Sequence, residues 1–196
     1  MEKEERKEKI KIGYCLTGSY CTFQKSLNVI EELLNKEIEI YPFMSEHAYS
    51  TDTKFGRAED FIKKIEEMCG KKIVHTIEGA EPIGPNKHID ALVISPCTGN
   101  TLSKLALGIT DTTATMAAKA SLRNKIPVVI ALATNDGLSQ SAKNLGLALT
   151  MKNVYFVPLG QDDCEKKPTS LVCDFKKVYD TLMLALQGKQ LEPLLI

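Results

Sequence analysis

Two runs of small and hydroxylated residues offer chemistry in this chain. They are Thr17-Gly18-Ser19 and Ser95-Pro96-Cys97-Thr98-Gly99-Asn100-Thr101. Hydroxyls donate and accept hydrogen bonds, and glycine lets a ligand come close to the backbone. The longer run follows an apolar stretch, Ala91 to Ile94, and opens onto Leu102-Ser103-Lys104-Leu105-Ala106, as a strand feeding a helix does. A helix N-terminus presents unpaired N–H groups and a partial positive charge of about half a unit, which suits a phosphate or carboxylate. The same residues also fit a bland alternative: a capped helix with Thr98 or Asn100 at its N-cap, and a plain turn at Thr17-Gly18-Ser19. A third polar strand end, Ala133-Thr134-Asn135-Asp136-Gly137, adds an amide and a carboxylate.

Other reactive groups are sparse. Cys97 has two readings: a nucleophile at a helix N-terminus, or a small buried residue, no histidine being close in sequence. His47, near Glu46 and Asp52, is the first histidine to consider for acid–base work, against a solvated loop histidine; Asn135 and Asp136 are the other catalytic candidates. Asp90 fits a strand start and Asp111 a helix cap. Three scattered histidines and six cysteines without C-x-x-C spacing give no metal site. Neither G-x-G-x-x-G nor G-x-x-x-x-G-K-[ST] is present, so both nucleotide fingerprints are missing.

The elements that must position these groups alternate. Strands are expected at Ile10–Leu16, Ile38–Met44, Ile73–Ile77, Ala91–Ile94, Pro127–Leu132 and Val154–Val157. Helices are expected over 22–36, 58–69, the segment after Thr101, 111–123 (capped by Asp111), 138–149 with Leu138, Ala142, Leu145 and Leu149 on one buried face, and 175–185. Ser45 to Phe55 reads as a polar loop, and Glu81-Pro82-Ile83-Gly84-Pro85 as non-helical because prolines and a glycine interrupt it. The fold class is therefore α/β: a three-layer, Rossmann-like arrangement, with a mostly parallel six-stranded sheet and helices on both faces. Parallel strand ends lie on one side, so the turns near Gly18, Gly99 and Asn135 are expected to converge on one crevice.

Length and composition fit one α/β domain over 10–196, after a charged tail at 1–9 that has almost nothing apolar to pack. Lys plus Arg equal Asp plus Glu at 25 each, which gives no reason to expect nucleic acid or an anionic membrane. No apolar run approaches the roughly 20 residues of a membrane helix, so a cytoplasmic protein with reduced thiols is expected.

At Ser95 to Thr101 the sequence resembles the flavoprotein family of homo-oligomeric FMN-binding cysteine decarboxylases and flavin prenyltransferases. The family's Pro-Ala-Ser-Ala-Asn-Thr signature falls on Pro96 to Thr101, its Gly-x-x-x-Thr-Gly-Ser pattern is similar to Gly13 through Ser19, and its Leu-Ala-x-Gly-Ile-x-Asp continuation matches Leu105 to Asp111. Thr17 to Phe23, Glu81 to Pro85, Met116 to Asn124, Thr134 to Asp136 and Tyr155 to Asp162 look like the narrower family of dipicolinate synthase B subunits from endospore-forming bacteria. The resemblance implies FMN held by Thr17, Gly18, Ser19, Ser95, Thr98, Gly99, Asn100 and Thr101. It also implies a homo-oligomer, to which the Ala/Thr-rich helix 111–123 would contribute by packing on a neighbour.

A separate A subunit would carry NADP, which accords with the missing fingerprint. Together the subunits would oxidise a dihydrodipicolinate-type precursor to dipicolinate in the cytoplasm of a sporulating mother cell. Residues 46–53 and 81–85 would close over this small dicarboxylate substrate, and Lys54 and Arg57 would attract it. Two alternatives stand beside that expectation: a non-catalytic regulatory or scaffold subunit, and a flavin-dependent decarboxylase. Against the decarboxylase, Pro82 occupies the position of that group's catalytic histidine, and of its Pro-x-Met-Asn-x-x-Met clamp only Asn135 remains.

Overall fold

The computed structural model describes residues 9–84 and 88–196. Seven strands form the sheet: β1 (Lys11–Leu16), β2 (Glu39–Met44), β3 (Ala91–Cys97), β4 (Val128–Thr134), β5 (Val154–Phe156), β6 (Leu159–Asp163) and β7 (Lys167–Cys173). The helices are α1 (Phe23–Asn35), α2 (Glu46–Ser50), α3 (Ala58–Cys69), α4 (Ile77–Ala80), α5 (Gly99–Ala106), α6 (Thr113–Arg123), α7 (Ala142–Leu149) and α8 (Val178–Ala185), with short 3-10 turns at Tyr20–Thr22, Glu81–Ile83 and Phe175–Lys177.

The strand order is β2-β1-β3-β4-β7-β6, with β5 also paired to β4. Strands β1 to β5 run parallel; β7 is antiparallel to β4, and β6 to β7. Central strands of a parallel sheet are covered on both faces, which explains their continuous apolar runs: every residue of β3 and all but the last of β4 are buried. Helix α1 buries Phe23, Leu27, Ile30 and Leu33, the face expected from their spacing except that Leu33 joins it and Leu34 is only partly covered.

Several elements differ from expectation. The strand expected at Ile73–Ile77 is a single bridge between Val74 and Phe43, because Thr76 caps a helical turn, its hydroxyl accepting from the Gly79 N–H. The Glu81–Pro85 segment begins with a 3-10 turn over Glu81–Ile83: Pro82 sits in its first turn, where a missing N–H costs nothing; Pro85 is outside the described residues. Within the expected loop 45–55, Ser45 caps α2. The cap of α6 is Thr112, in a reciprocal capping box with Thr115, and Asp111 instead pairs with Lys104 at 2.8 Å. The hairpin of β6 and β7 brings the strands to seven rather than six. The tail 1–8 lies outside the described residues.

One helix face also turns out otherwise. Leu138 and Leu149 are exposed and α7 begins only at Ala142; Asn144 and Ala148 are its buried residues. The small residues of α6 pack closely inside the chain, as their size suggests: Ala114, Ala117, Ala118 and Ser121 are buried, and the backbone at Ala120 leaves no room for a side chain on Gly84.

Candidate functional site

The turns after β1, β3 and β4 meet around one hollow of about 710 Å³ at the carboxyl edge of the sheet. Gly18 and Ser19 line it from the first turn, Thr98, Gly99 and Asn100 from the second, and Asn135 and Asp136 from the third. The N–H groups of Gly18, Gly99 and Asn100 have no partner among the described residues. Those of Gly99 and Asn100 are the free donors expected in the first turn of a helix. Thr98 caps α5 by accepting from the Thr101 N–H at 3.1 Å.

Three of the expected cofactor-binding residues instead hold the scaffold. Thr17 is buried: its hydroxyl donates to the Pro96 carbonyl at 2.8 Å and accepts from the Thr98 N–H at 3.0 Å, tying the first turn to the second. Ser95 lies beneath the hollow, its hydroxyl 3.1 Å from that of Ser26 on α1. The Thr101 hydroxyl accepts from Thr98 within the cap. Asp136 has both carboxylate oxygens occupied, by the hydroxyls of Thr134 and Ser141, and this cluster presses against Gly99.

His47 does not line the hollow. It is exposed on α2, and its carbonyl accepts from the Tyr20 hydroxyl at 2.9 Å. Its neighbour Glu46 reaches the N-terminus of α6, where one oxygen accepts from the Thr113 N–H and hydroxyl, both at 2.9 Å. Arg57 is committed to Asp60 and Glu59, and Lys54 stands over the Phe55 ring. Cys97 is fully buried, and burial pushes its thiol well above the ordinary value, so the small-buried-residue reading holds.

Part of the lining was not legible in the sequence. Cys21, Thr22 and Lys25 follow the first turn, and Phe55 adds a ring; the helical pattern from Thr22 was visible, but not which face turns toward the hollow. Asp162, Lys167 and Ser170 come from the unexpected β6–β7 hairpin. Asp162 and Lys167 pair at 2.8 Å, and that hydrogen bond raises the lysine pKa above its ordinary value.

A family model described as Flavoprotein matches residues 1–180. The chain belongs to the flavoprotein family. It is 43% identical over 186 residues to the dipicolinate synthase B subunit of Bacillus subtilis (strain 168), covering 95% of this chain and 93% of that one. The crystal structure of the dipicolinate synthase B subunit from Bacillus halodurans C superimposes with a TM-score of 0.87 at 41% identity, covering 95% of this chain and 96% of that one. Burkholderia xenovorans DmrB in complex with FMN, described as a cubic protein cage for redox transfer, shares the fold at a TM-score of 0.66 and 18% identity over 92% of this chain and 97% of that one.

In this flavoprotein all six cysteines are unpaired. Among the described residues no helix is long and apolar enough to cross a membrane, and no three His, Cys, Asp or Glu cluster as metal ligands.

Proposed function

We propose that this flavoprotein binds FMN in the hollow and, with a separate A subunit carrying NADP, oxidises a dihydrodipicolinate-type precursor to dipicolinate in a sporulating cell. The observation that carries the cofactor half is the meeting of three turns on one hollow. Its volume falls within the roughly 300–1,000 Å³ of cofactor pockets. The donor set fits a phosphate ester: free N–H groups at Gly18, Gly99 and Asn100, the Ser19 hydroxyl, and the Lys25 ammonium, which makes no ion pair among the described residues. A Cβ on Gly18 would meet only the Tyr20 ring, at 3.6 Å, so the chain itself does not demand glycine there; a ligand lying against the backbone would. Thr17, Ser95 and Thr101 act behind this surface by fixing the turns.

Bound FMN supplies a ring that accepts two electrons. Gly18, Ser19 and Lys25 would hold its phosphate end, Thr98 and Asn100 would hold the ribityl chain, and Asn135 stands at the crevice wall. The substrate half rests on the 43% identical relative, and a homo-oligomer on the family. A non-catalytic scaffold role has two observations in its favour: His47, His75 and His88 all lie outside the lining of the hollow, and both oxygens of the Asp136 carboxylate already accept from hydroxyls.

The full chain should bind FMN saturably at micromolar concentration, seen as quenching of flavin fluorescence; no saturable binding sinks the cofactor half. Dipicolinate formation, followed by ultraviolet absorbance, should require this chain together with the A subunit. Equal rates from the A subunit alone would favour the scaffold role.

A further inference from the structure

The hairpin wall of the hollow carries a charge pair whose setting points to a second anion. Asp162 on β6 and Lys167 on β7 both line the hollow, and their side chains keep 33% and 58% of their exposure. An ion pair so open to water is weakly held and exchanges readily. The strand register shifts between Gln161 and Asp163, so Asp162 stands where the ladder is interrupted, an irregularity that redirects a side chain. The wall is nevertheless anchored beside the third turn: the Thr169 hydroxyl donates to the Asn135 carbonyl at 2.7 Å, and the Leu138 N–H donates to the Thr169 carbonyl at 2.9 Å.

The remaining charges around the hollow narrow what this pair does. Asp136 keeps its charge but is fixed against Gly99 by the Thr134 and Ser141 hydroxyls, and Lys167 pairs with Asp162 instead. Lys25, on the α1 side, lies 5.8 Å from the Phe175 ring centroid and follows closely on the turn that offers Gly18 and Ser19. A phosphate held by that turn would have Lys25, a few residues further along the chain, as a cation in the same lining. Any other negative group in the hollow then meets Lys167.

We infer that Lys167 is a specificity-determining residue for a dicarboxylate: it leaves Asp162 for one substrate carboxylate, so that the hairpin wall senses the second negative charge. This rests on the dicarboxylate reading of the site given above. No bond is made or broken; one ion pair replaces another, and Asp162 returns to water at the rim.

The test is calorimetric titration of the full chain, with and without FMN, using pyridine-2,6-dicarboxylate and the monocarboxylate pyridine-2-carboxylate. Replacing a charge-assisted contact should raise the dicarboxylate Kd of Lys167→Met at least about tenfold while the monocarboxylate shifts less than about twofold. Lys167→Arg should restore most of the discrimination, and Asp162→Asn, which releases the lysine, should tighten the dicarboxylate. Equal losses for both ligands, no loss in Lys167→Met, or a wild-type chain that does not bind the dicarboxylate overturns the assignment. So does a loss of FMN affinity in Lys167→Met, because the lysine would then serve the cofactor. A wild-type chain that ignores FMN yet separates the two pyridine acids through Lys167 sinks the cofactor reading and leaves this inference standing.

Discussion

A Cβ added at Gly99 would fall 2.9 Å from an Asp136 carboxylate oxygen and 3.0 Å from the Ser141 hydroxyl, with the Thr134 hydroxyl nearer still. Those groups are locked to one another, so none can retreat cheaply. Gly99→Ala should lower stability by roughly 1–3 kcal/mol, read from the urea midpoint. Gly18 is the contrasting case, since its added Cβ has ordinary contact with Tyr20 alone. Gly18→Ala should leave the midpoint within about 0.5 kcal/mol of wild type while weakening FMN binding. Both glycines were legible in the sequence as points of close approach, but not what approaches them. The hydroxyls behave likewise: Thr17 and Ser95 belong to polar strand ends, yet the atoms that engage them come from segments 79 and 69 residues away.

Among elements, the junction of β1 with β3 is what sets the first two turns of the hollow side by side. Thr17 makes that junction through its hydroxyl as well as its own N–H, which donates to Pro96 at 3.2 Å. Thr17→Val keeps the shape and leaves the part-buried Thr98 N–H without its acceptor. A loss of about 1–3 kcal/mol should follow, and FMN binding should weaken with it, checked by denaturation and titration in parallel. Strands β3 and β4 were legible because burial on both faces makes them continuous apolar runs, and β1 and β2 because enough of their residues are apolar. The β6–β7 hairpin was not, because Gln161, Asp162, Asp163 and Lys167 face water on an edge and carry no alternating pattern. With it went Asp162, Lys167 and Ser170, a whole wall of the site. The helix over 138–149 failed for the opposite reason: its leucines suggest a buried face, but Leu138, Leu147 and Leu149 are exposed in this chain.

For the molecule as a whole, titration at both ends of the pH scale acts against the fold. Burial raises the thiols of Cys15, Cys97 and Cys173, and it pushes Cys69 from 9.0 up to about 11. A group whose pKa is higher when folded stabilises the fold fully below its unfolded value, and that contribution fades as pH rises through the folded value. For Cys69 the window runs from about pH 9 to about 11, with a limiting slope of about 1.4 kcal/mol per pH unit. Denaturant midpoints should therefore fall above pH 9, and less steeply in Cys69→Ala. Glu39, Glu66 and Asp111 run the other way: hydrogen bonds from Lys71, Lys72 and Lys104 hold them below the usual carboxylate range. Their contribution is present at neutral pH and fades as acid carries pH below about 4 and through the folded values. The forked edge of β4 has a consequence of another kind. Its first half is matched by β5 and its last two residues by β7, so the hairpin can change length or sequence without costing the parallel strands their alignment. Over evolutionary time one border of the crevice is thus free to drift toward new small molecules while the glycine turns opposite stay as they are.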